Sequence, residues 1–353
     1  MPHVILMRFE TPLRRIEEQI GANFGEFAGW EMPMSYGSYR VEHLAVRTSA
    51  AFFDLSHMGR LKVEGDPREF DYLTTKGISR FKENEMTGPQ AFLNDRGGFI
   101  DDFMGYRVSE REFLIVTNAI NREKIISWIR RNSSLSVEDL TFEYVMLAIQ
   151  GREVWKFVPK PELDPLRFVM NVNFLGVNVF LLSRSGWTGE DGVEIWADPS
   201  NAEALVKKLI ELGVKPAGLI TRDSIRQEMG FVLYGEDIDE NVTPIEARYW
   251  IFDSDRDYIG SGALKEQLRA GVKRLRVGLK AKKGETKLPR HGQGLYVGDT
   301  KIGEVTSSTY SPYLNRVIGM GYVSSDHFFL GMSLEAETRT GRITVKLSDF
   351  PLI

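Results

Sequence analysis

Gly97-Gly98-Phe99-Ile100-Asp101-Asp102 places two adjacent carboxylates in an apolar run. The paired glycines permit backbone angles that other residues avoid, and the apolar run predicts a strand. Side chains alternate between the faces of a strand, so Asp101 and Asp102 point to opposite sides and at most one of them enters a given cavity. We therefore expect one aspartate with a functional task and one with a structural partner. The alternative is a turn whose acids cap loop amides.

Upstream of this segment, the chain alternates between helix and strand signals. Residues Thr11–Ile20 predict an opening helix, and residues 24–36, rich in aromatics, predict an irregular segment. Residues Arg60–Glu64 alternate charged with apolar side chains, which predicts a half-exposed strand. Asp66 is the expected N-cap of the helix that follows, and Glu69 closes a capping box.

The alternation continues downstream. Residues 111–117 predict a strand, Asn118 is the expected cap of a helix over residues 121–131, and residues 140–150 predict a further strand. Strands and helices in alternation indicate mixed α/β domains.

A helix is also predicted over Thr221–Met229, with Gly230 as its stop. Arg222 and Arg226 lie four residues apart on it and so share a face. Two guanidinium groups on one face suit the recognition of a carboxylate, because each offers a fork of donors. The alternative is an ion-pair lattice with neighbouring acids of the same helix.

After Gly271 the pattern changes to short strands. Residues 274–279 alternate, and turn signals stand at residues 298–299 and 340–341. Residues 271–353 therefore predict a separate all-β barrel or sandwich, and residues 1–270 hold the α/β part.

Composition limits the possible functions. The chain has 353 residues, 42% of them hydrophobic and 27% charged, with no apolar run of the roughly 18 residues that span a membrane. It has no cysteine, which excludes disulfides and thiolate nucleophiles. The amino terminus lacks the pattern of a signal peptide, so we expect a cytoplasmic protein. His43 and His57 have no third ligand at a supportive spacing, so we expect no metal.

Charge is unevenly distributed. The net charge of −4 argues against a nucleic-acid binder, yet residues 265–291 hold ten basic against two acidic residues, a net charge of +8. Such a stretch attracts a polyanionic ligand or an acidic partner protein, and a solvated lysine-rich face is an equal alternative.

Several separate motifs occur together in one order. They are Phe27-Ala-Gly-Trp-Glu-Met-Pro33, Glu42-His43 with Arg47, Phe53-Asp-Leu-Ser-His-Met-Gly59, the segment 97–102, Thr188-Gly-Glu-Asp-Gly-Val-Glu-Ile195, residues 218–235 and Ile302-Gly-Glu-Val-Thr-Ser307. Together they resemble the aminomethyltransferase, or T-protein, of the glycine cleavage system. The resemblance spans nearly the whole chain, and several spaced motifs are far more specific than one.

The resemblance implies both a fold and a reaction. The fold is an α+β three-domain cloverleaf, with two ferredoxin-like α/β units, a C-terminal β-barrel and tetrahydrofolate in the central channel. The implied partners are a lipoylated H-protein and the other glycine cleavage components. The aminomethyl group on the lipoyl arm would pass to tetrahydrofolate, giving 5,10-methylenetetrahydrofolate and ammonia.

The resemblance also implies roles for individual residues. Asp102 matches the catalytic carboxylate near N5 and N10 of the folate, with Asp101 as second choice. The matched motifs supply further residues for the folate channel, of which Trp187 replaces the tyrosine usual in the family: Glu194, Arg222, Asn118, Met58 and Trp187.

Other proteins on this scaffold are alternatives. A tetrahydrofolate-dependent demethylase of a sulfonium, amine or aryl ether would need no H-protein. The folate-binding protein of iron–sulfur enzyme maturation carries a Lys-Gly-Cys motif, and this chain has no cysteine. A flavin-linked dehydrogenase is excluded by length. The basic stretch fits either an acidic H-protein or a polyglutamylated folate tail.

Overall fold

The computed structural model describes residues 9–353. The helices are α1 (Arg14–Gln19), α2 (Tyr39–Thr48), α3 (Pro67–Leu73), α4 (Arg122–Asn132), α5 (Pro199–Glu211), α6 (Leu219–Met229) and α7 (Ser261–Ala270). The strands are β1 (Phe9–Glu10), β2 (Asn23–Phe27), β3 (Trp30–Ser35), β4 (Ala51–Asp54), β5 (Gly59–Glu64), β6 (Glu85–Leu93), β7 (Phe99–Arg107), β8 (Glu112–Thr117), β9 (Ser136–Asp139), β10 (Val145–Gln150), β11 (Phe168–Phe174), β12 (Val177–Ser183), β13 (Gly192–Ala197), β14 (Lys215–Pro216), β15 (Arg274–Ala281), β16 (Gly294–Val297), β17 (Thr300–Ser311), β18 (Arg316–Ser324), β19 (Ser333–Thr338) and β20 (Gly341–Ser348).

The chain before the barrel forms two large sheets and a small three-stranded sheet. The five-stranded sheet has the order β6-β7-β8-β5-β9, and the six-stranded sheet has the order β11-β12-β13-β10-β4-β14. The aspartates lie on β7, where Asp102 is opposite Ala91 and Phe103 is opposite Thr117. The strand predicted from the glycine-initiated segment is therefore confirmed.

One apolar cluster joins the two sheets. Tyr106 and Val116 of the five-stranded sheet pack with Met146 and Trp196 of the six-stranded sheet. Ile225 of α6 belongs to the same cluster. Because the side chains of both sheets and of one helix meet here, residues far apart in sequence face a common interior.

The last strands close into a barrel with the order β15-β18-β17-β16-β19-β20, and β20 pairs with β15. Alternate residues of β15 and β20 fill it, including Val277, Leu279 and Val345. The predicted α+β fold with its C-terminal barrel is confirmed. Helix α7 ends at Ala270 and β15 begins at Arg274. Within residues 9–353 no helix is both long and apolar enough to cross a membrane.

Helix α6 ends where the sequence predicts. Gly230 is its C-cap in the left-handed conformation, with φ 75°. A side chain on Gly230 would also collide with Phe350, since an added Cβ would lie 2.2 Å from Phe350 Cδ1. Two properties of glycine therefore favour it at this position: it adopts the left-handed backbone angle, and it has no side chain to collide with Phe350.

Several predictions about local structure are wrong, among them the capping box of Glu69, whose carboxylate accepts from Ser134 instead. Residues 24–36 are not irregular but form the hairpin of β2 and β3, turned by Ala28 and Gly29 at positive φ. Arg60 does not face water, because it is fully buried. Its guanidinium donates to the carbonyls of Met58 (2.7 Å), Ser56 (3.0 Å) and Tyr144 (2.9 Å), and also to that of Thr141.

Arg60→Met should lower the free energy of unfolding by about 3–5 kcal/mol, because the variant leaves buried carbonyl groups without their donor. The measurement is the midpoint of urea unfolding. Lys62→Met on the same strand is the control, since Lys62 only approaches the surface carboxylates of Glu64 (3.4 Å) and Glu138 (3.5 Å). We expect this control to change stability by no more than about 0.5 kcal/mol. Equal midpoints for the two variants would contradict the stabilising role of Arg60.

Candidate functional site

A cavity of about 150 Å³ lies between the two sheets and α6. Apolar side chains form much of its wall, among them Phe27, Phe103, Met104 and Val116. Polar groups enter from several elements, as expected for a site that orients a ligand. Of the predicted site residues, those that line the cavity are Met58, Asp102, Asn118, Trp187, Glu194 and Arg222.

Asp102 is the aspartate that faces the cavity. Its Oδ1 accepts from Asn118 Nδ2 at 2.9 Å and its Oδ2 from the Tyr249 hydroxyl at 3.4 Å. Burial raises the pKa of Asp102 to about 6, while the two hydrogen bonds and the charge of Arg226 limit the rise. The carboxylate therefore titrates near neutral pH, where a carboxyl group can both accept and return a proton.

Asp101 is fully buried on the other face of β7 and does not line the cavity. It accepts from Asn121 Nδ2 (2.6 Å), from Asn118 Nδ2 (2.8 Å) and from the Asn118 backbone amide (3.1 Å). Burial, together with the charge of Asp102, raises its pKa well above the usual value, and these hydrogen bonds oppose the rise. Asp101 thus fixes the segment after β8 and contacts the cavity only through Asn118.

Asn118 links the two aspartates. The sequence predicts it as a helix cap, but its side chain makes no capping hydrogen bond. Its Nδ2 donates instead to both carboxylates. Because Asp101 accepts from both the backbone and the side chain of Asn118, this amide is held in place against Asp102.

Glu194 on β13 and Arg222 on α6 are a second polar group in the cavity wall. Burial raises the pKa of Glu194, and the charge of Arg222 together with a hydrogen bond from Ser185 (2.6 Å) opposes the rise. Within residues 9–353, Arg222 Nη1 is buried without a hydrogen-bond partner. Because Arg222 lines the cavity, this donor is available to a ligand there.

Arg226 shares its helix face with Arg222 but has a different environment. Its nitrogens donate to Asp223 (2.8 Å), to Asp237 (2.7 Å) and to Ser307 of the barrel (3.2 Å). Its donors are therefore taken up by the protein, and it joins α6 to the barrel. The ion-pair alternative describes Arg226, which also lines the cavity, whereas Arg222 keeps a donor without a partner within residues 9–353.

Aromatic and apolar side chains complete the wall. Trp187 packs on Phe231 with ring centroids 4.6 Å apart, and His57 packs edge-on against Phe27 at 5.3 Å. Burial and the charges of Arg222 and Arg60 lower the pKa of His57 to about 3, so its imidazole is neutral. Met58 follows His57 in the loop between β4 and β5.

Sequence reasoning did not identify Tyr249 or the location of His57. Tyr249 lies far from Asp102 in sequence, in a segment without a periodic pattern, so no local signal marks it. His57 is next to Met58 in a quoted motif, and that proximity was the signal available.

His43 and His57 lie in different surroundings. His43 is fully buried and contacts Ser224 (2.7 Å) and Glu228 (2.8 Å), while His57 lies in the cavity wall. In the part of the chain that the structure describes, no group of three His, Cys, Asp or Glu residues is placed to hold a metal ion.

Comparison with known proteins finds relatives that match nearly the whole chain. Residues 13–252 match the GCVT N-terminal domain, and residues 274–353 match the glycine cleavage T-protein C-terminal barrel domain. A probable aminomethyltransferase of Aeropyrum pernix is 39% identical over 97% of this chain and 98% of its own length. An aminomethyltransferase of Thermosipho melanesiensis is 38% identical over 97% of this chain and 96% of its own length.

A solved structure agrees with these sequences. The crystal structure of the glycine cleavage system aminomethyltransferase T from Bartonella henselae superposes with a TM-score of 0.89 at 32% identity, over 98% of both chains. The family models and the relatives define the class: the protein is a tetrahydrofolate-dependent transferase. More narrowly, the chain belongs to the aminomethyltransferase family, the T-proteins of the glycine cleavage system.

Proposed function

We propose that this protein transfers the aminomethyl carbon from the lipoyl arm of an H-protein to tetrahydrofolate. The products are 5,10-methylenetetrahydrofolate, ammonia and the dihydrolipoyl arm. One observation carries the proposal: a single cavity holds a carboxylate, Asp102, whose pKa burial raises to about 6, together with Glu194 and Arg222, whose Nη1 has no partner within residues 9–353. The first suits proton transfer at the reacting nitrogens, and the second suits recognition of a polar ring.

The pair of Glu194 and Arg222 fits the pterin ring of tetrahydrofolate. The ring edge carries an amino group and a ring N–H beside a carbonyl oxygen. Glu194 Oε2 accepts a hydrogen bond from Ser185 and keeps acceptor capacity for the two ring donors. The unpartnered Nη1 of Arg222 supplies a donor for an acceptor on the ligand. Trp187 and Met58 would pack against the apolar faces of the folate.

Asp102 is proposed as the group that handles the proton. The aminomethyl carbon loses its bonds to nitrogen and sulfur and gains bonds to N5 and N10 of the folate. The two protons released from N5 and N10 end on the departing amine and on the sulfur, so the carbon stays at the oxidation level of formaldehyde. An ionised Asp102 accepts a proton from a folate nitrogen, and its charge stabilises the positive charge that develops on the carbon.

The direct test is a single-turnover assay. Enzyme, aminomethylated H-protein and tetrahydrofolate are mixed, and methylenetetrahydrofolate is measured while calorimetry follows folate binding in the same preparation. Folate binding with turnover supports the proposal. Folate binding without turnover contradicts it and favours the demethylase, to be tested with methyl donors. The absence of folate binding contradicts both the aminomethyltransferase and the demethylase.

The pH dependence of turnover should report the ionisation of Asp102. Because burial raises its pKa to about 6, the carboxylate is about 90% ionised at pH 7 and about 10% ionised at pH 5. Activity requires the ionised form, so kcat/KM should be constant above about pH 7 and fall about tenfold per pH unit well below pH 6. The assay is the pH profile of kcat/KM, with folate binding measured at each pH. A profile that stays flat down to pH 4.5 would contradict the assignment.

Three points stay predictions. They are the cytoplasmic location, the division of the chain into domains after residue 270, and the partner of the basic stretch. Lys282, Lys283 and Lys287 of that stretch are exposed. They are therefore accessible to an acidic H-protein or to a polyglutamylated folate tail, as complementary charge requires.

A further inference from the structure

The two oxygens of Asp102 have different hydrogen-bond donors. Asn118 Nδ2 donates to Oδ1 at 2.9 Å, and the hydroxyl of Tyr249 donates to Oδ2 at 3.4 Å. Tyr249 does not itself line the cavity, and its ring packs near Phe99 with centroids 6.3 Å apart. Two donors on separate oxygens restrict the rotation of a carboxylate more than one donor does, because each fixes a different edge of the group.

The segment that carries Tyr249 is attached to the barrel. The backbone amide of Arg276 on β15 donates to the Glu246 carbonyl at 2.8 Å, and Arg276 Nε donates to the Ala247 carbonyl at 2.7 Å. Arg248 Nη2 donates to Asp349 at 2.7 Å, beyond the last barrel strand. Arg276 of β15 and Asp349, which follows β20, therefore hold the three residues before Tyr249.

Arg248 adopts a backbone conformation that arginine disfavours. Its φ is 50°, in the left-handed region that suits glycine. The side chain is fixed by Asp349, by the Arg276 carbonyl at 3.3 Å and by the ring of Phe328, whose centroid lies 4.8 Å from the guanidinium carbon. Such a conformation persists where its surroundings over-determine it, and here those surroundings are the barrel.

We propose that Tyr249 is a positioning residue for the transfer reaction, held by the barrel so that its hydroxyl keeps the Asp102 carboxylate in one orientation. The inference rests on the proposed role of Asp102. With Asn118 and Tyr249 on its two oxygens, the carboxylate is held by both of its edges in the cavity wall. The barrel thus contributes to the site through Tyr249 without lining the cavity at that point.

The other charged and titratable groups near Asp102 act differently. Asp101 lies on the same strand, Arg226 on α6 acts on Asp102 through its charge, and Tyr234 lies near both aspartates. The Tyr234 hydroxyl accepts from Lys124 Nζ at 2.8 Å. In the structure from residue 9 onward, Asn118 and Tyr249 are the side chains that donate to Asp102.

Tyr249→Phe should shift the acid limb of kcat/KM upward by about 0.5–1 pH unit, because a donor to the ionised carboxylate is lost. At pH 6 this shift corresponds to a loss of about 2- to 6-fold in kcat/KM, with folate affinity unchanged within about twofold. The ring and its contact with Phe99 remain. Tyr234→Phe is the matched control, and it should leave the acid limb where it is in the wild type.

The closing experiment measures the same group without turnover. Carboxyl-labelled aspartate is introduced into the full-length protein, and the Asp102 resonance, assigned with Asp102→Asn, is titrated by ¹³C NMR. Tyr249→Phe should raise its pKa by about 0.5–1 unit, and Tyr234→Phe should not. Arg248→Gly keeps the left-handed angle but removes the side-chain contacts of Arg248 with Asp349 and Phe328, so it should shift the pKa in the same direction by a smaller amount.

The outcomes separate the two hypotheses. A wild-type titration in Tyr249→Phe, with Asp102→Asn inactive, overturns the role of Tyr249 and leaves the proposed function intact. A shift in Tyr249→Phe but none in Arg248→Gly overturns the anchoring of Tyr249 through the Arg248 side chain. If the wild type binds folate without any turnover, the proposed function fails, and the titration still decides whether Tyr249 positions Asp102.

Discussion

Asp102→Asn should lower the single-turnover rate of methylenetetrahydrofolate formation by about 10²- to 10⁴-fold. The amide keeps the size of the carboxylate but can neither accept the proton nor balance the positive charge on the carbon. Folate affinity should stay within about threefold, because the pterin contacts assigned to Glu194 and Arg222 are untouched. The residual activity should also lose its dependence on pH near 6, since the group that titrates there is gone.

Asp101→Asn is the informative comparison for this experiment. Asp101 accepts from Asn118 and Asn121 but does not line the cavity, so its loss acts through the position of Asn118. We expect a lower free energy of unfolding together with a smaller loss of turnover than in Asp102→Asn. Wild-type turnover in Asp102→Asn, or a larger catalytic loss in Asp101→Asn at unchanged stability, would exchange the roles of the two aspartates.

Arg222→Ala and Glu194→Gln should each weaken tetrahydrofolate binding by about 10- to 150-fold, the range expected when a hydrogen bond to a charged group is lost. The losses should be non-additive in the double variant, because each side chain shifts the pKa of the other. Isothermal calorimetry gives the dissociation constants. Turnover at saturating folate should fall far less than in Asp102→Asn, because the contacts proposed for these residues lie at the pterin edge remote from N5 and N10.

Arg222→Lys and Glu203→Gln are the matched controls for binding. Lysine keeps the charge but lacks the planar fork of donors, so Arg222→Lys should lie between wild type and Arg222→Ala. Glu203 pairs with Lys207 on the surface of α5, and its neutralisation should leave folate affinity unchanged. If Arg222→Ala binds folate as the wild type does, its unpartnered donor does not contact the ligand.

Local signals were sufficient for many of the elements. The strand of Asp101 and Asp102, the helix that stops at Gly230 and the barrel strands follow from periodicity and from turn residues. The order of the motifs was sufficient for the family, because several spaced matches rarely occur together by chance. The prediction of an irregular segment at residues 24–36 was wrong. Neither their aromatic content nor the Ala28-Gly29 turn indicates a hairpin until the pairing of β2 with β3 is known.

The amino-acid sequence thus determined the strand, its two carboxylates on opposite faces, the helix with two arginines on one face and the family. The tertiary structure decided which aspartate meets the cavity and which of the two cavity-lining arginines keeps an unused donor. Asp102 faces the cavity because the second sheet packs on that side of β7. Asp237 and Ser307 take up donors of Arg226, whereas Arg222 Nη1 has no partner within residues 9–353. Tyr249 and the burial of Arg60 likewise depend on partners distant in sequence. Backbone periodicity fixes the direction of a side chain relative to its own element, whereas solvation and hydrogen bonding depend on what packs against that element.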